Sequence, residues 1–231
     1  MSNHARVAIG LCGASGAMGS RILALAHADP RFELVSTLTR DGAGPSQAPR
    51  PADVVVDFSA PAGTRTALAS ALRTRSALLV GTTGLDEALH AALRDAAAHI
   101  PVLVAPNTSL GIAAVAAASA ALARALGPGF HCSIVEAHHA RKKDAPSGTA
   151  LRLAHALRAA GAHLPDSQVL SIRGGDVVGE HTVRFAGPGE CIEVVHRATT
   201  RDLFAAGALR AAAWLAGKPA GWYAIEDVMA G

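Results

Sequence analysis

Short apolar segments alternate with helical segments along the first half of this chain. Strand patterns lie at 6–12, 32–38, 53–57, 77–80 and 101–104, and helical patterns lie at 20–27, 64–72 and 85–98. Strands that are apolar throughout and alternate with helices are typical of a parallel sheet covered on both faces. The pattern therefore predicts an α/β fold with a Rossmann-type, doubly wound parallel sheet and right-handed connections.

A glycine-rich turn joins the first predicted strand to the first predicted helix. Its sequence, GASGAMG, places Gly13, Gly16 and Gly19 in a G-x-x-G-x-x-G spacing rather than the commoner G-x-G-x-x-G. Gly13 permits a tight turn, Gly16 lets a pyrophosphate approach the backbone, and Gly19 lets the helix lie close to the strand. A dinucleotide-binding turn is predicted, and a turn that joins strand and helix without a ligand is the alternative.

The end of the second predicted strand bears on the choice of dinucleotide. Many folds of this kind carry an acid there, which holds the adenosine ribose hydroxyls. This chain has Thr39 and Arg40 at that point, and Asp41 follows. An arginine suits a ribose 2′-phosphate, so NADPH is expected to be preferred and NADH remains possible. A solvated loop arginine is the alternative.

The alternation changes after residue 111. Helical patterns at 112–126 and 150–160 flank a strand pattern at 132–136, and strand patterns at 168–173, 180–185 and 191–197 follow with short turns. Consecutive strands with short turns predict a second, smaller α+β domain with a mixed or antiparallel sheet. A last helix, at 201–215, is expected to pack back on the first domain.

The segment EAHHARKKDAPSGT, at 136–149, concentrates the residues that can do chemistry. His138 and His139 titrate near neutral pH, so either can hold a proton for transfer. The three cations at 141–143 suit an anionic substrate or charge that develops during a reaction. Paired histidines are also common on strands and surfaces, and cation runs on solvated faces. Their coincidence in one segment favours an active site.

A helix start closes this segment. Ser147 is a favourable N-cap for the apolar helical run behind it, so Gly148 and Thr149 fall in the first turn. Free N–H groups there, with the positive end of the helix dipole, can bind a carboxylate or a phosphate. An acid–base group beside such an anion site predicts catalysis on an anionic substrate, and a turn that only starts a helix is the alternative.

Charge and cysteine content narrow the classes of partner. The net charge is +3 and aromatic residues make up 3% of the chain, so a nucleic-acid partner is not expected. Cys12, Cys132 and Cys191 are widely spaced and odd in number, which indicates neither a metal site nor a disulfide framework. Free thiols fit a cytoplasmic location.

Residues 100–123 carry no Asp, Glu, Lys or Arg and are numerous enough to span a membrane. Proline, asparagine and glycine interrupt them, so they are interpreted as a strand, a loop and a helix. The N-terminus lacks the charged and then apolar layout of a signal peptide. A soluble protein without a membrane partner is expected.

Motifs along nearly the whole chain resemble those of the 4-hydroxy-tetrahydrodipicolinate reductase family, also called dihydrodipicolinate reductase, of bacterial lysine biosynthesis. They are GASGAMG, DFSAP, GTTG, APNTSLG, EAHHARKKDAPSGTAL, RGGDVVGEHTV and GECIEVVHRA. The resemblance implies that NAD(P)H reduces a cyclic dicarboxylate imine, formed from 4-hydroxy-tetrahydrodipicolinate by loss of water, to tetrahydrodipicolinate. It implies domains at 1–109 for the dinucleotide and 110–205 for substrate and oligomer contacts. Residues 206–231 are expected to return to the nucleotide domain.

The resemblance also implies roles for individual residues. His138 is the expected proton donor and Lys142 is expected to stabilise charge, while the expected substrate-binding residues are His139, Ser147, Gly148 and Thr149. The expected cofactor-binding residues are Gly13, Gly16, Ala17, Met18, Arg40, Phe58, Gly81, Thr82, Thr83, Ala105, Pro106 and Asn107. No metal is expected. A homotetramer is the expected assembly, with a dimer as the alternative.

Two other functions remain open on the residues alone. A related Rossmann-type reductase or dehydrogenase could act on another small imine or keto acid, because the fold by itself does not set the substrate. A non-catalytic NADP-binding sensor would use the histidines as structural residues. The sensor predicts cofactor binding without turnover and indifference to loss of His138 or Lys142.

Overall fold

The computed structural model describes residues 6–38 and 51–230. Its contacts divide the chain into two compact units. The first unit comprises residues 1–109 together with 202–231, and the second comprises residues 110–201. Thr39, Arg40 and Asp41 lie outside the described residues, as does the predicted loop up to residue 50.

In chain order the strands and longer helices are β1 (Val7–Cys12), α1 (Ala17–Ala28), β2 (Phe32–Leu38), β3 (Val54–Asp57), α2 (Pro61–Thr74), β4 (Ala77–Val80), α3 (Glu87–Ala96), β5 (Pro101–Val104), α4 (Leu110–Leu126), β6 (His131–His138), α5 (Gly148–Ala159), β7 (Val169–Arg173), β8 (Gly179–Gly187), β9 (Glu190–Ala198), α6 (Asp202–Leu215), β10 (Gly221–Tyr223) and α7 (Asp227–Ala230). Single 3₁₀ turns lie at Gly127–Gly129 and Asp166–Gln168.

The first unit is built on a six-stranded sheet in the order β10-β5-β4-β3-β1-β2, and every neighbouring pair is parallel. All four residues of β3 and of β4 are buried, which agrees with strands whose two faces are both covered. Helices α2 and α3 contact each other, and α1 packs against α6, which lies on β3, β4 and β5. The predicted doubly wound parallel sheet is confirmed.

The C-terminal segment completes this first unit. The hydroxyl of Thr108 donates a hydrogen bond of 2.7 Å to the carbonyl oxygen of Phe204 in α6. Gly207 faces the Thr108 carbonyl so closely that a Cβ would overlap it. Strand β10 pairs in parallel with β5 at the edge of the sheet. Neither β10 nor α7 was predicted, because segments of three and four residues are too short for a periodic signal.

The second unit is built on a four-stranded sheet in the order β7-β6-β8-β9. The pair β6–β7 is parallel, and the pairs β6–β8 and β8–β9 are antiparallel. Helices α4 and α5 contact each other, and the core between α5 and the sheet includes Ile134, Leu153, Val183 and Phe185. The predicted mixed sheet is confirmed.

Among the described residues, one helical segment is long and apolar enough to cross a membrane by length and composition. It is Leu110–Gly129, which has 20 residues and a mean hydropathy of 1.7, and comprises α4 and the 3₁₀ turn behind it. Helix α4 contacts α5 and β9 in the second unit. A core helix of a globular domain passes the same test, so one such helix is weak evidence of a span.

Candidate active site

The turn after β1 has the backbone geometry that a dinucleotide site requires. Gly13 has a φ of +85°, a conformation that glycine adopts without steric cost. The N–H of Gly16 donates a 2.9 Å hydrogen bond to the Gly13 carbonyl, which closes the turn. Gly16 caps α1 without a side-chain hydrogen bond, and the first turn of α1 contains no acidic residue. These features suit the negative charge of a pyrophosphate.

Strand β1 lies between β2 and β3, so the strand order reverses there: β2 lies on one side of β1, and β3, β4 and β5 follow on the other. Ligands of open α/β sheets bind beyond the carboxyl ends of the strands at such a point. The turns after β1 and β3 are in close contact, because a Cβ on Gly13 would overlap the Phe58 carbonyl. A Cβ on Gly81, after β4, would overlap the Phe58 ring. Three of the predicted cofactor-side residues therefore lie together.

Asp57, at the end of β3, organises these turns, and the sequence analysis did not identify it. Its carboxylate is fully buried and accepts hydrogen bonds from the hydroxyls of Ser59, Thr64 and Thr82, the last two at 2.5 and 2.8 Å. The Thr82 hydroxyl in turn accepts the N–H of Ser59 at 2.9 Å. One buried carboxylate thus joins the ends of β3 and β4. The sequence signal that could have identified Asp57 was its position in the motif DFSAP.

The other predicted cofactor residues differ in exposure. Ala17, Thr83 and Pro106 are exposed, Met18 and Asn107 are half-buried, and Ala105 is buried. The Asn107 side-chain oxygen accepts the N–H of Ser109 at 2.9 Å, which orders the turn after β5. The remaining predicted contact, Arg40, lies outside the described residues.

In the second unit, His138 ends β6 beside a buried carboxylate. Its Nδ1 lies 2.5 Å from Oε2 of Glu136, two residues earlier on the same face of the strand. The Glu136 side chain is fully buried and the His138 side chain is 11% exposed. The ring of His181, from β8, meets the His138 ring edge-on with centroids 5.2 Å apart. The predicted proton donor is therefore held in a packed, polar environment.

Arg173, at the end of β7, holds Glu136 from the neighbouring strand. Its two terminal nitrogens lie 2.8 and 2.7 Å from the two carboxylate oxygens, a bidentate pair. One of these nitrogens also donates to the carbonyl oxygen of Asp144 at 2.6 Å. Arg173 thus ties β6, β7 and the loop before α5 together. Sequence reasoning missed both Arg173 and the role of Glu136.

Ser147 caps α5, as predicted, and also belongs to the histidine cluster. Its hydroxyl oxygen accepts the N–H of Ala150 at 3.2 Å and lies 3.2 Å from Nε2 of His181. Its own N–H donates to Oε1 of Glu136 at 3.1 Å. The start of α5 is therefore bonded directly to the carboxylate that holds His138.

The loop between His138 and α5 carries an internal ion pair. The Lys142 ammonium lies 2.8 Å from the Asp144 carboxylate. The hydrogen bond from Lys142 lowers the pKa of Asp144, and the backbone N–H of Gly148 contributes in the same direction. Asp144 therefore already pairs with Lys142, which was expected to stabilise charge, and with the N–H of Gly148, which was expected to bind substrate.

His139 and Thr149 lie on either side of this loop. Both are half-buried, and Nδ1 of His139 has no hydrogen-bond partner among the described residues. The carbonyl of His139 accepts the N–H of Lys142 at 3.0 Å, so the chain turns sharply here. This turn keeps the paired histidines and the lysine in one short loop.

Burial and hydrogen bonds shift the pKa values of this cluster in different directions. Burial by itself would raise the pKa of Glu136, but hydrogen bonds from Arg173, Ser171, His138 and the Ser147 N–H lower it to about 2. Burial lowers the pKa of His138, and Lys142 and Arg173 lower it further, whereas Glu136 raises it. Glu136 is therefore the group that favours the protonated form of His138.

No group of three or more His, Cys, Asp or Glu within residues 6–38 and 51–230 is arranged to hold a metal ion. The side chains at the end of β6 instead combine an imidazole, a carboxylate, a guanidinium and a helix start. This set can donate a proton and bind anions.

Residues 7–108 match the family described as dihydrodipicolinate reductase, N-terminus, and residues 111–229 match dihydrodipicolinate reductase, C-terminus. The chain belongs to the dihydrodipicolinate reductase family. The family resemblance inferred from the motifs is thus confirmed. These matches cover both units, so the glycine turn and the histidine cluster belong to one family architecture.

Relatives of this dihydrodipicolinate reductase family member bear the name 4-hydroxy-tetrahydrodipicolinate reductase. One from Xanthomonas euvesicatoria pv. vesicatoria is 47% identical over 234 residues, which cover 94% of this chain and 95% of the relative. One from Zymomonas mobilis subsp. mobilis is 40% identical over 253 residues, with 99% of each covered. One from Myxococcus xanthus is 48% identical over 196 residues, which cover 77% of this chain and 72% of the relative.

Solved structures share the fold of this family member. A dipicolinate-bound dihydrodipicolinate reductase from Paenisporosarcina sp. TG-14 has a TM-score of 0.79 at 18% identity, and the match covers 96% of this chain and 99% of that chain. The C. glutamicum DAP dehydrogenase in complex with DAP has a TM-score of 0.59 at 13% identity, covering 97% of this chain and 94% of that chain. At these identities the likeness bears on the fold alone.

Proposed function

We propose that this protein reduces 4-hydroxy-tetrahydrodipicolinate, through its dehydrated imine, to tetrahydrodipicolinate with NAD(P)H, in lysine and diaminopimelate biosynthesis. The observation that carries the proposal is the arrangement at the end of β6. There His138 is paired with Glu136 beside Lys142 and the N-terminus of α5. Imidazole, cation and helix start together suit a dicarboxylate that accepts a hydride and a proton.

His138 is the proposed proton donor. Its Nδ1 is held by an ionised carboxylate, so Nε2 is the ring nitrogen that remains for proton transfer. Lys142 is proposed to stabilise negative charge as it develops on the substrate. The positive charge of Lys142 acts on His138, which supports a shared site.

The substrate carboxylates are proposed to bind at the start of α5, to His139, Ser147, Gly148 and Thr149. The Gly148 N–H and the Lys142 ammonium already hold the Asp144 carboxylate. An internal carboxylate at this place supports an anion site, because the same donors satisfy a carboxylate there. In this proposal the substrate displaces Asp144 or shares its donors.

The first unit is proposed to bind the dinucleotide. When bound, a reduced nicotinamide supplies the hydride. The N–H groups at the start of α1 would hold the pyrophosphate, and the turns after β3, β4 and β5 would border the nicotinamide. The Arg40 guanidinium is proposed to contact the 2′-phosphate of NADPH, which would make NADPH the preferred donor.

The protein is proposed to act in the cytoplasm as a homotetramer, with a dimer as the alternative. One face of the second unit's sheet supports assembly. Leu170, Val135, Thr182 and Val195 are neighbours in register across its four strands. Leu170 is 50% exposed and Val195 is 36% exposed, so a mainly apolar row, with Thr182 as its polar member, lies on this face.

The direct test is NADPH oxidation with freshly generated 4-hydroxy-tetrahydrodipicolinate as the substrate. We expect turnover by the wild-type protein and a fall in kcat of roughly 10²–10⁴-fold in His138→Gln, because general acid catalysis is lost. The matched control is His155→Gln, which makes the same substitution at an exposed position of α5. Cofactor binding without turnover would indicate the sensor instead, and turnover only with another imine or keto acid would indicate a different substrate.

The preference for NADPH is tested with Arg40→Ala. We expect weaker NADPH binding and little change for NADH, because only NADPH carries the 2′-phosphate. Arg73→Ala, an exposed arginine of α2, is the control for loss of one positive charge. Affinities for both cofactors are measured by fluorescence titration. Equal losses for NADPH and NADH would contradict the 2′-phosphate contact.

A further inference from the structure

The buried carboxylate of Glu136 accepts hydrogen bonds from three other residues, although pairing of its strand uses only backbone groups. It meets His138 Nδ1, the Ser147 N–H and both terminal nitrogens of Arg173. Burying a charge is costly unless it is paired and hydrogen-bonded, and here the pairing is complete enough to keep the carboxylate ionised. An ionised Glu136 accepts hydrogen bonds only, so His138 must present an N–H at Nδ1.

The rest of the His138 ring is fixed from other directions. The ring of His181 contacts it edge-on with an interplanar angle of 76°. Gly179, at the start of β8, lies over it, and a Cβ there would come within 3.0 Å of His138 Nε2. Carboxylate, imidazole and glycine together define one orientation of the ring.

Each strand or loop around His138 contributes a charged or titratable group. Glu136 comes from β6, Arg173 from β7, His181 from β8 and Lys142 from the loop before α5. Arg173 and Lys142 disfavour a positive charge on the ring, and Glu136 favours it. Among the described residues no hydrogen bond joins Arg173 to His138, so the clearest role of Arg173 is to hold the Glu136 carboxylate.

We propose that Glu136 is a positioning residue for the reaction: clamped by Arg173 and the Ser147 N–H, it holds the Nδ1–H of His138 and so directs Nε2–H toward proton transfer. The proposal rests on the proposed function, in which His138 donates the proton. It adds that His138 works as a unit with Glu136 on β6 and Arg173 on β7. The same carboxylate bonds the start of α5, so proton donor and anion site are set by one group.

The decisive variant is Glu136→Gln. Loss of the negative charge should lower the pKa of His138, because Glu136 is the group that raises it. The high-pH limb of the kcat profile should move to lower pH by the same amount, and above that limb kcat should fall about 10-fold per unit. Binding of the cofactor to the first unit should not change. Asp166→Asn is the control, because it removes an exposed carboxylate from an arginine pair elsewhere in the second unit.

Histidine ¹⁵N NMR gives a reading that needs no substrate. In the wild-type protein neutral His138 should be the Nδ1–H tautomer, and Glu136→Gln should lower its pKa and mix the tautomers. Arg173→Gln should move the His138 pKa upward, because a nearby positive charge is lost. Shifts of opposite sign separate the electrostatic effects of the two residues from general damage to the fold, and the tautomer reports the positioning.

Glu136→Asp keeps the charge and serves if the glutamine variant does not fold. The His138 pKa in Glu136→Asp should lie closer to the wild-type value than it does in Glu136→Gln. The kcat should still be reduced, because the carboxylate side chain is one methylene shorter. An unchanged tautomer and pKa of His138 in a folded Glu136→Gln protein would overturn the proposal. An inactive wild type whose His138 pKa still depends on Glu136 would overturn the reductase function and leave the ring contact standing.

Discussion

At the scale of single residues, the histidine cluster contains titratable groups that are largely buried. His181 is 4% exposed and its Nδ1 has no hydrogen-bond partner among the described residues. Burial lowers the pKa of His181 to about 4, and the neighbouring His138 contributes in the same direction. His181 is therefore neutral at pH 7, and it can contact the His138 ring without adding positive charge to the site.

This lowered pKa predicts a loss of stability in acid. Between the ordinary pKa of 6.5 and about 4, the unfolded chain binds a proton that folded His181 does not bind. The free energy of unfolding should therefore fall as the pH falls through this window, by roughly 3 kcal/mol in all. Glu136, whose pKa is lowered to about 2, contributes stability that is lost mainly below its ordinary value of 4.5.

Urea unfolding at pH 7 and pH 4.5 measures this dependence. His181→Asn should weaken it, because the variant lacks the imidazole whose pKa is lowered to about 4. His155→Asn, at an exposed position of α5, should keep the wild-type slope. A His181→Asn protein with the full wild-type dependence would show that another group is responsible.

At the scale of elements, the site forms where β6 ends and α5 begins. The strand presents Glu136 and His138 on its buried face, and the helix presents its first N–H groups and Ser147 to the same carboxylate. Strand alternation and helix capping are both local rules, but the loop between β6 and α5 decides where the strand and the helix meet. Arg173 holds that loop through the Asp144 carbonyl.

The cap of α5 should matter for both stability and substrate binding. Ser147→Ala should lower the free energy of unfolding by about 1 kcal/mol, because the Ala150 N–H loses its acceptor. Asp86→Ala removes the corresponding cap of α3, where the side chain accepts the Leu89 N–H at 2.7 Å, and should lower stability by a similar amount. Only Ser147→Ala should also raise KM for the dicarboxylate, so steady-state kinetics separate the two roles. Equal KM values in both variants would remove Ser147 from the proposed anion site.

At the scale of the whole molecule, the second unit's sheet is covered on one face and open on the other. The buried face packs against the core that includes α5 residues, whereas the opposite face carries Leu170 and Ile172, which are 50% and 54% exposed. Two adjacent exposed apolar side chains on one edge strand, continued by Val135 and Val195 across the sheet, are typical of an interface.

Leu170→Lys should dissociate the proposed oligomer, because it places a charge among the exposed apolar side chains of the edge strand β7. Leu151→Lys is a close control, since Leu151 on α5 is 52% exposed against 50% for Leu170. Light scattering after size-exclusion chromatography gives the mass of each variant. An unchanged mass for Leu170→Lys would exclude this face as the interface, and a smaller mass for both variants would point to a general effect of charge.

Features that depend on neighbours along the chain were predictable from the order of the amino acids. Apolar strands alternating with helices predicted the parallel sheet, and glycine spacing predicted the turn at Gly13, whose positive φ the structure confirms. The N-cap at Ser147 followed from the helical run behind it, and the structure has it. These predictions succeed because strand alternation, turn conformation and capping act over a few residues.

Contacts between polar groups that are distant in sequence depend on the three-dimensional fold. Glu136 and Arg173 are 37 residues apart in sequence, Ser147 and His181 are 34 apart, and Asp57 and Thr82 are 25 apart. No periodic pattern links such pairs, because each arises from strand order and register in a folded sheet. Burial limits which of these pairs can form, because an ionised carboxylate inside a core persists only where donors from several strands and loops reach it together.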